Sequence, residues 1–155
     1  MRSSTTSSRA TVPPSESPRV LLVDDNDDML SRAAAVLSPR CTIVGAVRNG
    51  PAALEAARVL RPDVIVLDIS MPGMTGFEVA ARLAASGSNA AVVFLTVHDD
   101  QEFVQASQSV GGLGYVIKAK LASDLLFAVA EARARWLAAH ITNGGGDPQE
   151  PKPDQ

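Results

Sequence analysis

The chain has 155 residues, 46% of them hydrophobic and only 4% aromatic, which suits one domain with a core of Val, Leu, Ile and Ala. A net charge of −3 without a dense basic stripe argues against nucleic-acid binding by this chain alone. No apolar run approaches the ~20 residues of a membrane-spanning helix, and the single cysteine, Cys41, reads as buried filler in a reducing, cytoplasmic setting.

Residues 1–18 are rich in Ser, Thr, Arg and Pro, lack the apolar stretch of a secretory signal, and are expected to form a disordered tail. The first apolar run, Val20–Val23, stands directly before an acidic cluster. Asn26 or Asp27 can cap a helix there, with Leu30, Ala33, Ala34 and Leu37 on one face and Pro39 at its end. Thr42–Val47 is the second and weakest run. Pro51 then opens a second helix, where proline is welcome at the first position, and Ala53, Leu54, Ala57 and Leu60 follow before Pro62 closes it. The third run is Val64–Leu67, and a third helix from about Gly76 to Ala85 turns Phe77, Ala80, Leu83 and Ala84 inward. The fourth run is Ala91–Leu95. A polar fourth helix follows from about Asp100 to Val110, anchored by Phe103 and Val104. The fifth run is Tyr115–Ile117, and a fifth helix starts near Ser123 with Leu125, Val129, Ala132 and Trp136 at helical spacing. The domain is placed at residues 19–138 and a second disordered tail at 139–155, where NGGGDPQEPKPDQ is too rich in Gly and Pro to build a core.

The apolar runs are short, unbroken and mostly β-branched. Strands look like this when a parallel sheet is covered on both faces. Strand and helix alternating five times predict a doubly wound α/β sheet with right-handed crossovers.

In such sheets ligands bind at the carboxyl ends of the strands. Asp24 and Asp25 follow the first run, Asp68 the third, Thr96 the fourth, and Lys118 ends the fifth. Clustered carboxylates repel, and a hard divalent cation such as Mg2+ resolves that repulsion. Lys118 adds a positive charge on the opposite side, and Thr96 can hydrogen-bond an anionic oxygen. The set suits neutralising a phosphoryl group during transfer, with a carboxylate as nucleophile. No His/Cys spacing suggests zinc.

The stretches VLLVDDN, VIVLDISMPGMTG, VVFLTV and GYVIK resemble the signature segments of bacterial response-regulator receiver domains, over roughly Arg19 to Ala138. The resemblance implies a flavodoxin-like (βα)5 fold of five parallel strands in order 2-1-3-4-5. It implies that Asp68 takes a phosphoryl group from a sensor histidine kinase or phosphotransfer protein. Asp24, Asp25, Asp68 and the Ser70 backbone carbonyl would hold Mg2+, with Asp25 the direct ligand. Thr96 and Lys118 would bind phosphoryl oxygens, and Thr96 and Tyr115 would be the switch pair. The output face would comprise the fourth helix, fifth strand and fifth helix, serving a downstream effector or a homodimer. The implied chemistry is weak self-catalysed phosphotransfer and autodephosphorylation rather than conventional enzyme turnover.

Two positions depart from the commonest pattern of that family: Ala119 stands where many members have proline, and Val97 where a smaller residue is common. An Asp-nucleophile phosphatase is a competing reading, but Asp68-Ile69-Ser70 lacks the second acid of its Asp-x-Asp motif. A phosphate-independent binding module is another, but its usual mark is loss of the acids or lysine, and all are present. The stretch GYVIKAKLASDLLFAV also resembles receivers that precede a helix-turn-helix output domain.

Overall fold

The computed structural model describes residues 17–97, 105–106 and 111–146, with side chains described to residue 140. In chain order they form β1 (Arg19–Val23), α1 (Asp27–Leu37), β2 (Thr42–Val47), α2 (Gly50–Leu60), β3 (Val64–Asp68), α3 (Gly76–Ala85), β4 (Ala91–Thr96), β5 (Gly114–Ile117), a 3-10 turn at Lys118–Lys120, and α4 (Leu121–Gly146). The helix expected at about residues 100–110 lies outside the described residues, apart from Gln105 and Ala106, which are helical. The last helix therefore carries the label α4.

The five strands form one parallel sheet in the order β2-β1-β3-β4-β5, as the resemblance implies. Successive residues of each strand point to opposite faces. Val20, Leu22, Val64, Val66, Val93, Leu95 and Val116 pack with Ala33 and Leu37 of α1 and with Leu121, Leu125, Val129 and Ala132 of α4. On the other face Leu21, Val23, Ile65, Leu67, Val92 and Phe94 pack with Ala53 of α2 and Val79, Ala80 and Leu83 of α3. Burial on both faces is why the strands read as unbroken apolar runs. β3 and β4 each end one residue beyond the expected run, so Asp68 and Thr96 are themselves strand residues.

The caps come from local chemistry. Asn26 accepts the Met29 N–H at 2.9 Å, and Asn49 accepts the Ala52 N–H at 2.8 Å ahead of Pro51. Thr75 and Glu78 close a reciprocal capping box at the start of α3. In α3, Val79 rather than Ala84 joins Ala80 and Leu83 in the core. Ala84 is exposed, because the stripe centred on residues 79, 80 and 83 turns it away. Phe77 is half-buried, with its ring centroid 5.2 Å from that of Phe94. α4 starts at Leu121 rather than near Ser123, since the 3-10 turn delivers the chain early and Leu121 is buried. It continues past Ala138, where a tail was expected, to Gly146. Ala138 and Ala139 are strong helix formers, and His140 stacks on Trp136 at 3.5 Å, its Nδ1 2.7 Å from the Trp136 carbonyl oxygen. No described helix is long and apolar enough to cross a membrane.

Gly76 joins the fold to the carboxyl rim of the sheet. Its N–H donates to the Ile69 carbonyl at 2.9 Å, and a Cβ here would sit 2.3 Å from the Asp68 carbonyl oxygen and 2.8 Å from the Ile69 Cα. Both obstacles are backbone held in the sheet, so neither can swing aside. Gly76→Ala is expected to lower unfolding stability by about 3 kcal/mol, measured by denaturant melts; no loss, or the small gain that Gly→Ala gives at an unhindered helical position, would show that the rim yields.

Candidate functional site

Asp24 follows β1 immediately and is 1% exposed. Its backbone N–H donates to Val47 O at 3.1 Å, and its Oδ1 accepts the Asn26 N–H at 2.9 Å. The next residue, Asp25, is exposed. Asp68 ends β3 and is 2% exposed, and its Oδ1 accepts the Ser70 N–H at 3.2 Å. Ser70 itself faces solvent. Carboxylate oxygens of Asp24, Asp25 and Asp68 lie within 4.8 Å of one another. Thr96 ends β4 and is 2% exposed; the ladder sets Leu95 opposite Asp68 and Ile117 opposite Thr96, one residue before Lys118.

Lys118 is the centre of the cluster rather than its far side. Nζ lies 2.9 Å from Asp24 Oδ2 and 3.1 Å from Asp68 Oδ1, so one ammonium bridges both buried acids. Its position across from the acids was the sequence expectation; the length of the side chain carries it over β4 and against them. Tyr115, on β5, pairs in the ladder with Phe94 of β4, is half-buried, and lines a groove of about 560 Å3 between β5 and α4 with Leu113, Phe127, Glu131 and Arg135. Phe127 is 69% exposed there, a feature its helical spacing alone did not single out. Val97 is 63% exposed just past Thr96. Phe103, expected near that groove, lies outside the described residues. Cys41 is buried as expected, and burial pushes its thiol pKa up.

The electrostatics follow from two acids sharing one cation. Desolvation, then the neighbouring Asp24 charge, push the Asp68 carboxyl from 3.8 up to about 6, against the pull of Lys118 and the Ser70 N–H. Lys118 loses by burial, but both carboxylates outweigh that and hold its ammonium above the ordinary lysine value. Asp68 Oδ2 is buried without a hydrogen-bond partner among the described residues, and Asp24 Oδ2, though beside Lys118, has no aligned hydrogen bond. Oxygen donors with spare lone pairs, gathered this closely, fit a hard divalent cation.

A carboxyl whose pKa rises on folding binds its proton more tightly in the folded state, so stability falls as pH rises between its two pKa values, 3.8 and about 6. In metal-free buffer Asp68→Asn is therefore expected to be more stable than wild type by roughly 2 kcal/mol above about pH 6, and to lose that advantage toward about pH 4. Thermal melts across that range check it; equal stability at neutral pH would mean that Lys118 fully compensates the buried charge.

Residues 20–130 match the family described as the response regulator receiver domain. The positive alginate biosynthesis regulatory protein of Pseudomonas aeruginosa is 37% identical over 116 residues, covering 73% of this chain and 46% of that protein. The nitrate/nitrite response regulator protein NarL of Escherichia coli is 34% identical over 117 residues, covering 74% of this chain and 54% of that protein. The chain thus spans about half the length of these curated relatives. Among solved structures, the signal receiver domain of NarL from Mycobacterium tuberculosis superposes with a TM-score of 0.64 at 28% identity, covering 84% of this chain and 98% of that one. With its strand order, its rim of acids and its matched segment, the chain belongs to the response regulator receiver domains of two-component systems, signalling domains rather than conventional enzymes.

Proposed function

We propose that this receiver accepts a phosphoryl group on Asp68 from a phosphohistidine of a sensor histidine kinase or phosphotransfer protein. The observation that carries the reading is the single ammonium of Lys118 set against two buried carboxylates, one of which keeps an oxygen without a partner among the described residues. Above about pH 6 Asp68 is ionised and nucleophilic. Its attack forms an O–P bond as the P–N bond breaks, and the imidazole nitrogen leaves with the bonding pair and takes up a proton. Lys118 and the Thr96 hydroxyl bind the equatorial oxygens on which charge collects. Asp24, Asp25, Asp68 and the Ser70 carbonyl would hold Mg2+, with Asp25 as direct ligand, and the ion would neutralise carboxylate and phosphoryl charge. Ser70, two residues after Asp68, offers no acid for rapid hydrolysis, which supports a slowly reversing signal over ester turnover.

In the same reading Thr96 moves toward the phosphoryl group and Tyr115 turns inward. The face made by the fourth helical segment, β5 and α4 then reshapes for a downstream effector or a second copy, a two-state shift biased by local charge. The domain expected at residues 19–138, with α4 continuing to Gly146, works in this reading in the cytoplasm, without direct nucleic-acid contact by this chain.

Incubation with Mg2+ and a small phosphodonor such as acetyl phosphate should add one phosphoryl group by mass spectrometry, and none to Asp68→Asn. Absence of labelling, or labelling that survives the substitution, overturns the reading; repeated turnover of a phosphate ester would favour a hydrolase instead. Val97 follows Thr96 directly and is exposed, and in the same reading its bulk restricts the access of water to Asp68. Val97→Ala is expected to shed its phosphoryl group several-fold faster than wild type, followed as decay of the labelled protein; an unchanged lifetime removes Val97 from that role.

A further inference from the structure

We infer that Asp63 and Arg133 form a positioning pair that sets the register of α4 on the sheet and thereby places Lys118 against Asp24 and Asp68. The kinetic part of this inference rests on the phosphoacceptor reading above; its structural part stands on geometry alone.

β3 carries an acid at each end. Asp63 stands just before its first residue and Asp68 is its last. Both acids are bound by cations from one continuous segment. Lys118, in the turn that opens α4, reaches Asp68 at 3.1 Å, and Arg133, further along α4, reaches Asp63 with Nη1 3.2 Å from Oδ1. The two spans agree: Asp63 to Asp68 covers about 17 Å of strand, and Lys118 to Arg133 about 22 Å of helix. A long helical side chain pointing back toward the N-terminus takes up the difference.

The lower tie is anchored in the sheet. Asp63 donates its N–H to Arg19 O at 2.7 Å, accepts the Ala91 N–H on its carbonyl at 2.9 Å, and accepts the Arg19 N–H on Oδ2 at 2.9 Å. It is thus joined to both β1 and β4 and cannot follow the helix. The Arg133 side chain is only 14% exposed, and its Nε is buried without a partner among the described residues. An arginine packed for its stem alone would turn its head to water. Holding an incompletely satisfied guanidinium inside costs free energy that an outward rotamer avoids.

Among the described side chains of α4, Arg133 alone makes an ion pair to the sheet; the start of the helix is tied to β5 through the Lys118–Lys120 turn. Its buried stripe is Leu121, Leu125, Val129 and Ala132, aliphatic side chains of graded size against a sheet surface of Val and Leu. Packing of this kind tolerates exchange of similar shapes and is less directional than an ion pair. The Glu131–Arg135 and Ser123–Asp124 contacts stay within the helix. Fixing register is the best-attested use of a buried polar or ionic group, and the segment from Lys118 to Arg133 makes an ion pair at each end of β3.

The test is a double-mutant cycle on the rate of Asp68 labelling by acetyl phosphate and Mg2+, in wild type, Arg133→Met, Lys118→Met and the double variant. Arg133→Met keeps the aliphatic stem. It should slow labelling about fivefold in the wild-type background and not at all in the Lys118→Met background, the non-additivity of residues acting through one another. An equal drop in both backgrounds, or no drop in the first, overturns the inference. Arg133→Lys should recover most of the rate, and Asp63→Asn, which keeps an acceptor for the Arg19 N–H, should repeat the effect if Arg133→Met does not fold. Independently, spin labels at Ala46→Cys and Ala130→Cys, both exposed positions, in a Cys41→Ser background should give one narrow distance. Arg133→Met should add a second distance offset by about 5 Å, one helical turn; a single unshifted distance overturns the register claim. If wild type takes no label on Asp68, the phosphoacceptor reading fails while the spin-label arm still decides the register.

Discussion

Two carboxylates in the same buried pocket repel strongly where water is absent, and a sheet that sets them side by side needs a cation between them. Here it is Lys118, 2.9 Å from Asp24 and 3.1 Å from Asp68. The strand order makes this contact necessary and also makes it difficult. β1 and β3 are neighbours, with Val23 opposite Leu67, so the residues that follow them meet at the rim. β5 lies two strands from β3, about 10 Å at ordinary spacing. Only a long side chain crosses that gap, and it crosses over the end of β4. The residue there is Thr96, short enough to leave a passage and polar enough to line it. The identities at four strand ends are therefore one steric and electrostatic solution.

That solution is deliberately incomplete in charge. One ammonium faces two buried carboxylates, and burial first, then the Asp24 charge, lift the Asp68 pKa to about 6. Asp25, exposed on the rim, adds a third acid whose charge water can screen. A site with this balance gains from any further positive charge delivered to its oxygens. It would also be unsettled by added negative charge on Asp68, because Lys118 cannot serve the new oxygens and keep its present contacts unchanged.

Much of this was legible in the sequence for a physical reason. A parallel strand covered on both faces must be apolar throughout, so it stops visibly at the first charged residue, and in this fold that residue is at the functional rim. VIVLD and VVFLT announce both a strand and its chemistry. Amphipathic helices were less sharply readable: in alanine-rich α3 the periodicity pointed to Ala84, while packing against the sheet buries Val79 instead. The limits of α4 were hidden because the 3-10 turn before it and the Trp136–His140 stack near its end have no periodic signature. The Asp63–Arg133 contact was invisible for another reason. Asp63 reads as a loop residue after Pro62 and Arg133 as a solvated charge on a helix, and nothing in their spacing pairs them.

The route by which a charge change leaves the rim follows from which parts have partners to lose. β1 and β3 are locked on both sides by ladder bonds, and their acids are fixed to them by short side chains. Lys118 is different. Its ammonium is held at the rim by ionic contacts, and its backbone follows β5 directly and begins the turn that becomes α4. β5, which delivers it, has only four residues and only one strand neighbour in the sheet. A rearrangement of the Lys118 contacts is therefore resisted least along β5 and α4. Tyr115 and Phe127 flank the groove between those two elements. The face that can change most is thus set by the same constraint that builds the site: the cation that balances the rim comes from the edge of the sheet.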